Sequence, residues 1–211
     1  MLGLQGSVQP FISRPSWQQI EDLPLAEKEA AMRDPAFRTR LIAEMPSKAH
    51  PFVNAVAAAA HRMFRIGDAM DYEPDPATSI ASEAERSGIA ADELIYDALL
   101  ADEGRAFLFF PMHNYCDGDL AAVHSMLLNP NTLCGPSDGG AHVGAFCDVS
   151  LPTFMLTHWC RDRGPRLELP EVIRRQTSET ARAVGLDDRG ILAPGYLADI
   201  NVIDFEAPTP A

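Results

Sequence analysis

Apolar side chains in the first hundred residues recur mainly three or four positions apart, the spacing typical of amphipathic helices. Prolines interrupt this pattern, so it predicts several short helices instead of one long one. The expected helices are a broken one from Trp17 to Glu44, then Pro51–Met63, one that begins near Ser79 and ends at Gly88, and Ala91–Leu100. At Asp34-Pro35 an N-cap residue precedes a proline suited to the first helical position.

From Arg105 onward the pattern changes to short apolar runs followed by helices. Ala106–Phe110 is a continuous apolar run, typical of a strand buried on both faces of a parallel sheet. A helix over Asp117–Leu128, with Asp117 or Asp119 near its N-terminus, leads to a second short buried strand at Thr132–Ser137. This order predicts right-handed βαβ units like those of an α/β barrel.

The rest of the chain is predicted as helices followed by one strand. The helices are expected over Ser150–Arg161, Pro170–Gln176 and Ser178–Gly185. After the Pro194-Gly195 turn, Ala198–Phe205 alternates between apolar and polar residues, which is typical of a half-buried strand. At the other end, Leu4–Phe11 has the pattern of a buried strand's tail and a loop.

Composition and charge exclude several classes of partner. The chain has 211 residues, of which 46% are hydrophobic, and its formal net charge is −13. This acidic excess argues against nucleic acid and against an anionic membrane surface, because both bind surplus Lys and Arg. No apolar run approaches the roughly 20 residues that span a bilayer. Four cysteines without a C-x-x-C pair, and no signal peptide, predict reduced thiols in the cytoplasm.

The sharpest candidate site follows the second predicted strand, since α/β barrels carry functional groups beyond the carboxyl ends of strands. Asp138 there could ligate a metal or accept a proton from a metal-bound water. Ser137 precedes it, Gly139 would let a ligand approach the backbone, and His142 could bind an anionic group. The alternative is an ordinary Asp-Gly turn without chemistry.

A second candidate follows the first predicted strand, at His113-Asn114-Tyr115. Asn114 and Tyr115 could line a substrate pocket, because they too come directly after a buried run. The alternative is a loop in which both side chains bond to the backbone.

Eight segments form an ordered set along the chain. They are Leu2–Val8, Tyr72–Pro74, Phe110–Tyr115, Cys134–Gly144, Cys147–Phe154, Leu156–Trp159, Thr177–Gly190 and Ala193–Asp204. Together they resemble the N-acyl-D-amino-acid deacylase branch of the amidohydrolase superfamily, and specifically its C-terminal portion. The resemblance covers nearly the whole chain.

The resemblance implies a helix-rich α/β fold: a partial (β/α)₈ barrel with the start of a small β-sandwich. Residues 1–190 would form the C-terminal part of the barrel, and residues 191–211 a strand that returns into a truncated sandwich. Family members cleave amide bonds of N-acyl amino acids, or related C–N bonds, with zinc-activated water. Asp138 matches the aspartate that contacts this water and shuttles its proton, while Ser137, Gly139 and His142 would shape the pocket floor.

The histidines depart from the family pattern, in which a His-x-His pair begins the metal site. Six histidines occur here, and no two are spaced as His-x-His. Zinc is therefore expected in the complete enzyme and not on this chain alone.

Three hypotheses stay open. The chain is the C-terminal part of a zinc hydrolase, a non-catalytic module that self-associates or completes a barrel from a complementary N-terminal chain, or a small standalone hydrolase. The first is the best supported, because it accounts for the ordered motifs around Asp138.

Overall fold

The computed structural model describes residues 1–6, 8–46, 51–67, 69–115, 117–135, 137 and 149–206. These residues belong to two compact units, 1–122 and 123–211. The architecture is helix-rich α/β, and the strands of the described residues form one small sheet in the first unit. No described helix combines the length and the apolar character needed to cross a bilayer.

The sheet has three short strands, all antiparallel, in the order β1–β3–β2. They are β1 (Leu2–Gly3), β2 (Phe64–Arg65) and β3 (Phe107–Phe109). Leu2 lies opposite Leu108, and both side chains are buried. Gly3 lies opposite Phe107, where any side chain would overlap the phenylalanine ring. The close pairing of β1 with β3 therefore requires glycine at this position.

The apolar run Ala106–Phe110 does contain the central strand, but the predicted parallel βαβ arrangement is wrong here. A continuous apolar run shows that both faces of a strand are covered, and it carries no information about the direction of the neighbouring strands. The second predicted strand, Thr132–Ser137, has no strand structure in its described residues, and Leu133 is 53% exposed. The described residues thus do not show a partial barrel.

The helices of the first unit lie close to those predicted from the positions of prolines and capping residues. They are α1 (Pro15–Gln18), α2 (Leu25–Arg33), α3 (Pro35–Ala43), α4 (Pro51–Ala57), α5 (Ile80–Ser87) and α6 (Ala91–Gly104). The predicted helix Pro51–Met63 is too long, because the chain forms a 3₁₀ turn at Ala60–Arg62 and then enters β2.

The predicted N-cap at Asp34 and the predicted helix boundaries at Ser79 and Gly88 are confirmed. The Asp34 carboxylate accepts hydrogen bonds from the backbone N–H groups of Ala36 and Phe37, both at 3.2 Å. Ser79 caps α5 by accepting from the Ser82 N–H at 3.3 Å, and Gly88 ends that helix at φ +70°. These groups satisfy backbone donors and carbonyls that a helix end would otherwise leave unpaired.

Replacement of Asp34 by alanine should lower the free energy of unfolding of the first unit by about 1 kcal/mol, because two N–H groups at the start of α3 lose their acceptor. Urea denaturation of the variant and the parent chain measures this. Asp34→Ser should retain most of the stability, since serine also caps helices. Equal losses in both variants would show that the cap does not stabilise α3.

The core of the first unit joins the N-terminal segment to α2, α3 and α6. Leu41 and Leu99 are fully buried there. The hydroxyl of buried Tyr96 donates to the Met32 carbonyl at 2.6 Å, and burial raises the pKa of Tyr96 to about 12. Arg14 donates to the Leu41 carbonyl at 2.9 Å and pairs with Asp92 on α6. The N-terminal segment is therefore fixed by polar contacts as well as by apolar packing.

The chain from residue 121 onward is mostly helical where it is described. The first helical segment is α7 (Ala121–Leu128). The second is α8 (Leu151–Phe154), which continues as a π-helix over Met155–Asp162. The third consists of α9 (Leu169–Arg174), a π turn (Arg175–Glu179) and α10 (Thr180–Ala183). Helix α7 begins four residues later than predicted, and the Asp119 carboxylate accepts from the Ala121 N–H at 2.8 Å at its start. The two helices predicted over 170–185 are one continuous segment, with the π turn at their join.

Residues 198–204 have no regular secondary structure, so the predicted strand Ala198–Phe205 is wrong. Val202 is 97% exposed and Ile200 is 61% exposed. Alternation makes a strand possible, but a strand forms only where a neighbour supplies hydrogen bonds. The predicted division of the chain at residue 190 rests on the resemblance and stays a prediction.

Candidate functional site

Most of the residues predicted around the catalytic carboxylate lie outside the described part of the chain. These are Asp138, Gly139 and His142. Ser137 is described, and its side chain is exposed. The assignment of all four to a catalytic pocket stays a prediction.

The structure places Asn114 and Tyr115 at the end of β3, in the first unit. Tyr115 is 4% exposed, its hydroxyl donates to the Pro74 carbonyl, and its ring meets the Phe64 ring edge-on at 5.8 Å. Burial, and then the nearby Asp71 carboxylate, raise the pKa of Tyr115. Tyr115 thus bonds to the backbone, as the alternative interpretation of this loop predicts, and its part in substrate binding stays a prediction.

Asn114 differs from its neighbour in both exposure and conformation. Its side chain is exposed, and its φ of +64° lies in the left-handed region, which asparagine tolerates better than most residues. His113 is exposed as well. The two side chains are accessible to a ligand, and the Asn114 side chain forms no hydrogen bond with the residues that the structure describes.

The segment that leads into the Asp138 motif is held by a buried arginine, Arg175, which is 4% exposed. Its Nη1 donates to the Thr132 carbonyl at 3.2 Å and its Nη2 to the Asn129 carbonyl at 3.3 Å. Its Nε donates to Glu171 at 2.9 Å. These bonds compensate the burial of the charge, and they fix the turn that precedes Cys134 and the motif.

Glu171 receives hydrogen bonds from two arginines, Arg174 at 2.7 Å and Arg175 at 2.9 Å. These bonds lower the pKa of Glu171 from 4.5 to about 2. A carboxyl group whose pKa is lower in the folded state stabilises that state above its unfolded pKa. The stabilisation is lost as the pH falls from about 4.5 towards 2.

Replacement of Glu171 by glutamine should therefore flatten the dependence of stability on pH between about 4.5 and 2, because the neutral amide does not titrate. Urea midpoints measured in steps across this range test the prediction. Glu168→Gln serves as a matched control, since Glu168 is an exposed carboxylate on the same segment. An unchanged pH profile in Glu171→Gln would contradict the assigned pKa shift.

Comparison with known proteins decides the family. A model of the amidohydrolase family matches residues 4–210. The chain belongs to the amidohydrolase family. No curated protein and no solved structure matches it. Because this family consists of hydrolases, the amidohydrolase match supports the predicted reaction class, and it spans both compact units.

Amidohydrolases typically depend on a metal, which needs several His, Cys, Asp or Glu side chains around one point. Among the described residues, no three His, Cys, Asp or Glu residues lie close enough to hold one. His124 stacks on the Trp159 ring at 5.8 Å, and His158 stacks on Phe154 at 4.7 Å. The part of this amidohydrolase that the structure describes therefore does not fit a zinc ion.

The thiols of the described residues also lack the features of a reactive site. Cys134 and Cys160 are free. Burial raises the pKa of both thiols, and for Cys134 it outweighs the opposing effect of nearby Arg175. Neither sulfur is therefore primed as a thiolate nucleophile at neutral pH.

Arg175 is the residue of this amidohydrolase that sequence reasoning missed. In the sequence it lies four residues after Glu171, a spacing typical of an exposed pair on a helix surface. The four-residue spacing predicts the Glu171–Arg175 pair, but it does not show that the Arg175 side chain is buried. The structure shows that the pair instead anchors the turn before the Asp138 motif.

Proposed function

We propose that this chain supplies the proton-transferring carboxylate, Asp138, to a hydrolase that cleaves the amide bond of N-acyl-D-amino acids or related C–N bonds. The observation that carries the proposal is the amidohydrolase match over residues 4–210, which includes the ordered motifs around Asp138. The deacylase branch is supported by the resemblance of those motifs. The family also supports a barrel as the fold of the complete enzyme.

Amide hydrolysis needs a group that first accepts and then donates a proton. Water forms a bond to the carbonyl carbon, the C–N bond breaks, and the nitrogen leaves as an amine after it is protonated. Asp138 would take the proton from the attacking water and pass it to the leaving nitrogen. Gly139 would leave room for the substrate, and His142 would bind its carboxylate.

The other residues have supporting parts in this proposal. Ser137 would complete the pocket floor, and Asn114 and Tyr115 remain candidates for substrate contacts. Arg175 is a positioning residue, because it holds the turn that precedes the motif. The zinc expected of the family is assigned to residues other than the described ones, which do not fit it.

A second candidate is a catalytically inactive module that completes a barrel from another chain or self-associates. Exposed apolar side chains between residues 186 and 203 favour it: Leu192 is 84% exposed and Val202 is 97% exposed. Exposed apolar side chains are typical of a partner interface where they form a contiguous patch. Light scattering tests self-association, and a stable monomer that binds no complementary chain would contradict this candidate.

The decisive experiment compares the chain alone with the chain expressed together with any coding sequence upstream of Met1 that encodes His-x-His. Release of free amino acid from N-acetyl-D- and N-acetyl-L-leucine is measured for both proteins, together with bound zinc. We expect hydrolysis with a preference for the D substrate, and stoichiometric zinc, only in the combined protein.

Each other outcome selects another interpretation. Activity and stoichiometric zinc in the chain alone would establish a standalone hydrolase. An L preference would overturn the assignment to the D-specific branch. A combined protein that binds zinc but hydrolyses neither substrate would overturn the proposed reaction and favour the inactive module.

A further inference from the structure

A cleft of about 140 Å³ lies in the second unit, between the end of the 169–183 helical segment and the loop that follows it. On the helical side the cleft is lined by Ser178 and Arg182, and on the loop side by Leu186, Asp187 and Ile191. This volume is below the roughly 300–1,000 Å³ found for pockets that take drug-sized ligands. A ligand of this cleft would therefore be small.

Backbone contacts fix the shape of this cleft. Gly190 has φ +86° and lies so close to the helix that a Cβ atom there would be 2.8 Å from the Cα of Ser178. The Leu186 N–H donates to the Ala181 carbonyl at 2.8 Å, and the Leu197 N–H donates to the Asp188 carbonyl at 2.8 Å. The loop is thus held against the helix by its main chain, which leaves the lining side chains available to a ligand.

Two lining side chains of opposite charge have no partner among the described residues. The side chains of Arg182 and Asp187 form no hydrogen bond and no ion pair with any residue that the structure describes. Arg189, which also lines the cleft, is instead engaged by Asp188 at 3.0 Å and Asp199 at 3.8 Å. The cleft therefore presents one cationic and one anionic side chain whose charges no described residue neutralises.

The rest of the lining is apolar or amphipathic. Leu186 and Ile191 contribute aliphatic side chains, and Tyr196 contributes an aromatic ring. A guanidinium group binds a carboxylate, and a carboxylate binds an ammonium group. A simple anion would meet repulsion from Asp187, whereas a zwitterion would satisfy both charges at once.

We propose that this cleft binds a free α-amino acid with an aliphatic side chain. Arg182 holds its carboxylate, Asp187 holds its ammonium group, and the side chain packs against Leu186 and Ile191. Free amino acids are also the product class of the proposed reaction, but the recognition follows from the lining alone. Binding can therefore be tested without turnover, and its failure would leave the proposed hydrolysis untouched.

The test is calorimetric titration of the full chain with leucine and with two analogues that each lack one charge. Leucinamide has no carboxylate, and 4-methylpentanoate has no ammonium group. Each analogue should bind about tenfold or more weakly than leucine, since each loses a charge-assisted interaction. No heat at about 10 mM leucine, or equal binding of all three compounds, would overturn the proposal.

Two variants assign the two charges separately. Arg182→Gln should weaken leucine binding by about tenfold and remove the difference between leucine and leucinamide. Asp187→Asn should instead remove the difference between leucine and 4-methylpentanoate. Arg166→Gln is the matched control, because Arg166 is an exposed arginine of the same unit that does not line the cleft. Equal weakening by the control would overturn the role of Arg182.

Discussion

If Asp138 transfers the proton as proposed, its replacement by asparagine should lower the hydrolysis of the proposed N-acyl-D-amino acid substrates by about 10²–10⁴-fold in the zinc-loaded protein. Asparagine has nearly the same size as aspartate, but its amide cannot accept the proton of the attacking water. Because the lost interaction belongs to the transition state, kcat should fall much more than KM changes. The loss should therefore persist at saturating substrate.

The pH profile distinguishes a lost proton acceptor from a distorted pocket. In the parent enzyme kcat/KM should fall at acidic pH as the carboxylate becomes protonated, and this acidic limb should be absent from the residual activity of Asp138→Asn. Asp22→Asn is the matched control, since Asp22 is an exposed aspartate in the loop between α1 and α2. Turnover within a few-fold of the parent enzyme would remove Asp138 from the mechanism.

The sequence predicted the elements whose signals are local. Asp34 and Ser79 cap helices through bonds to residues two or three positions away, and Gly88 ends α5 through its own backbone conformation. Such features depend on neighbours in the sequence, so they can be predicted without knowledge of the fold. This is why the helices of the first unit were predicted far better than its sheet.

The sheet could not be predicted because its partners are remote and very short. β1 and β2 have two residues each, which is too few to show any periodicity. They pair with β3 from about 105 and about 44 positions away. Ile200 and Val202 show the opposite case, since a clear alternation yields no strand where no neighbour pairs with it. Pairing is a tertiary property, and it overrides the local pattern.

The candidate site was only partly predictable for the same reason. The family motifs point to Asp138 directly, because they consist of consecutive residues. Arg175 lies 37 positions after that aspartate, and its contacts with the carbonyls of Asn129 and Thr132 exist only in the folded chain. A supporting residue of this kind has no sequence signal of its own, although its contribution to stability can be measured.

Replacement of Arg175 by methionine should lower the free energy of unfolding of the second unit by about 2 kcal/mol. Methionine keeps most of the apolar stem, so the loss reports the guanidinium bonds to the Thr132 and Asn129 carbonyls. The chain has two tryptophans, and Trp159 belongs to the second unit. Urea denaturation in a Trp17→Phe background, followed by Trp159 fluorescence, therefore measures this unit.

Arg174→Met is the control for the loss of an arginine on the same helix. Arg174 is 47% exposed and pairs with Glu171 and Glu179, and exposed ion pairs stabilise by only about 0–1 kcal/mol. Arg175→Lys should recover little of the stability, because an ammonium group lacks the planar fork that reaches two carbonyls. Equal destabilisation by Arg174→Met and Arg175→Met would mean that the buried bonds do not hold the turn. A selective loss in Arg175→Met, accompanied by lower kcat in the complete enzyme, would show that this turn positions the Asp138 segment.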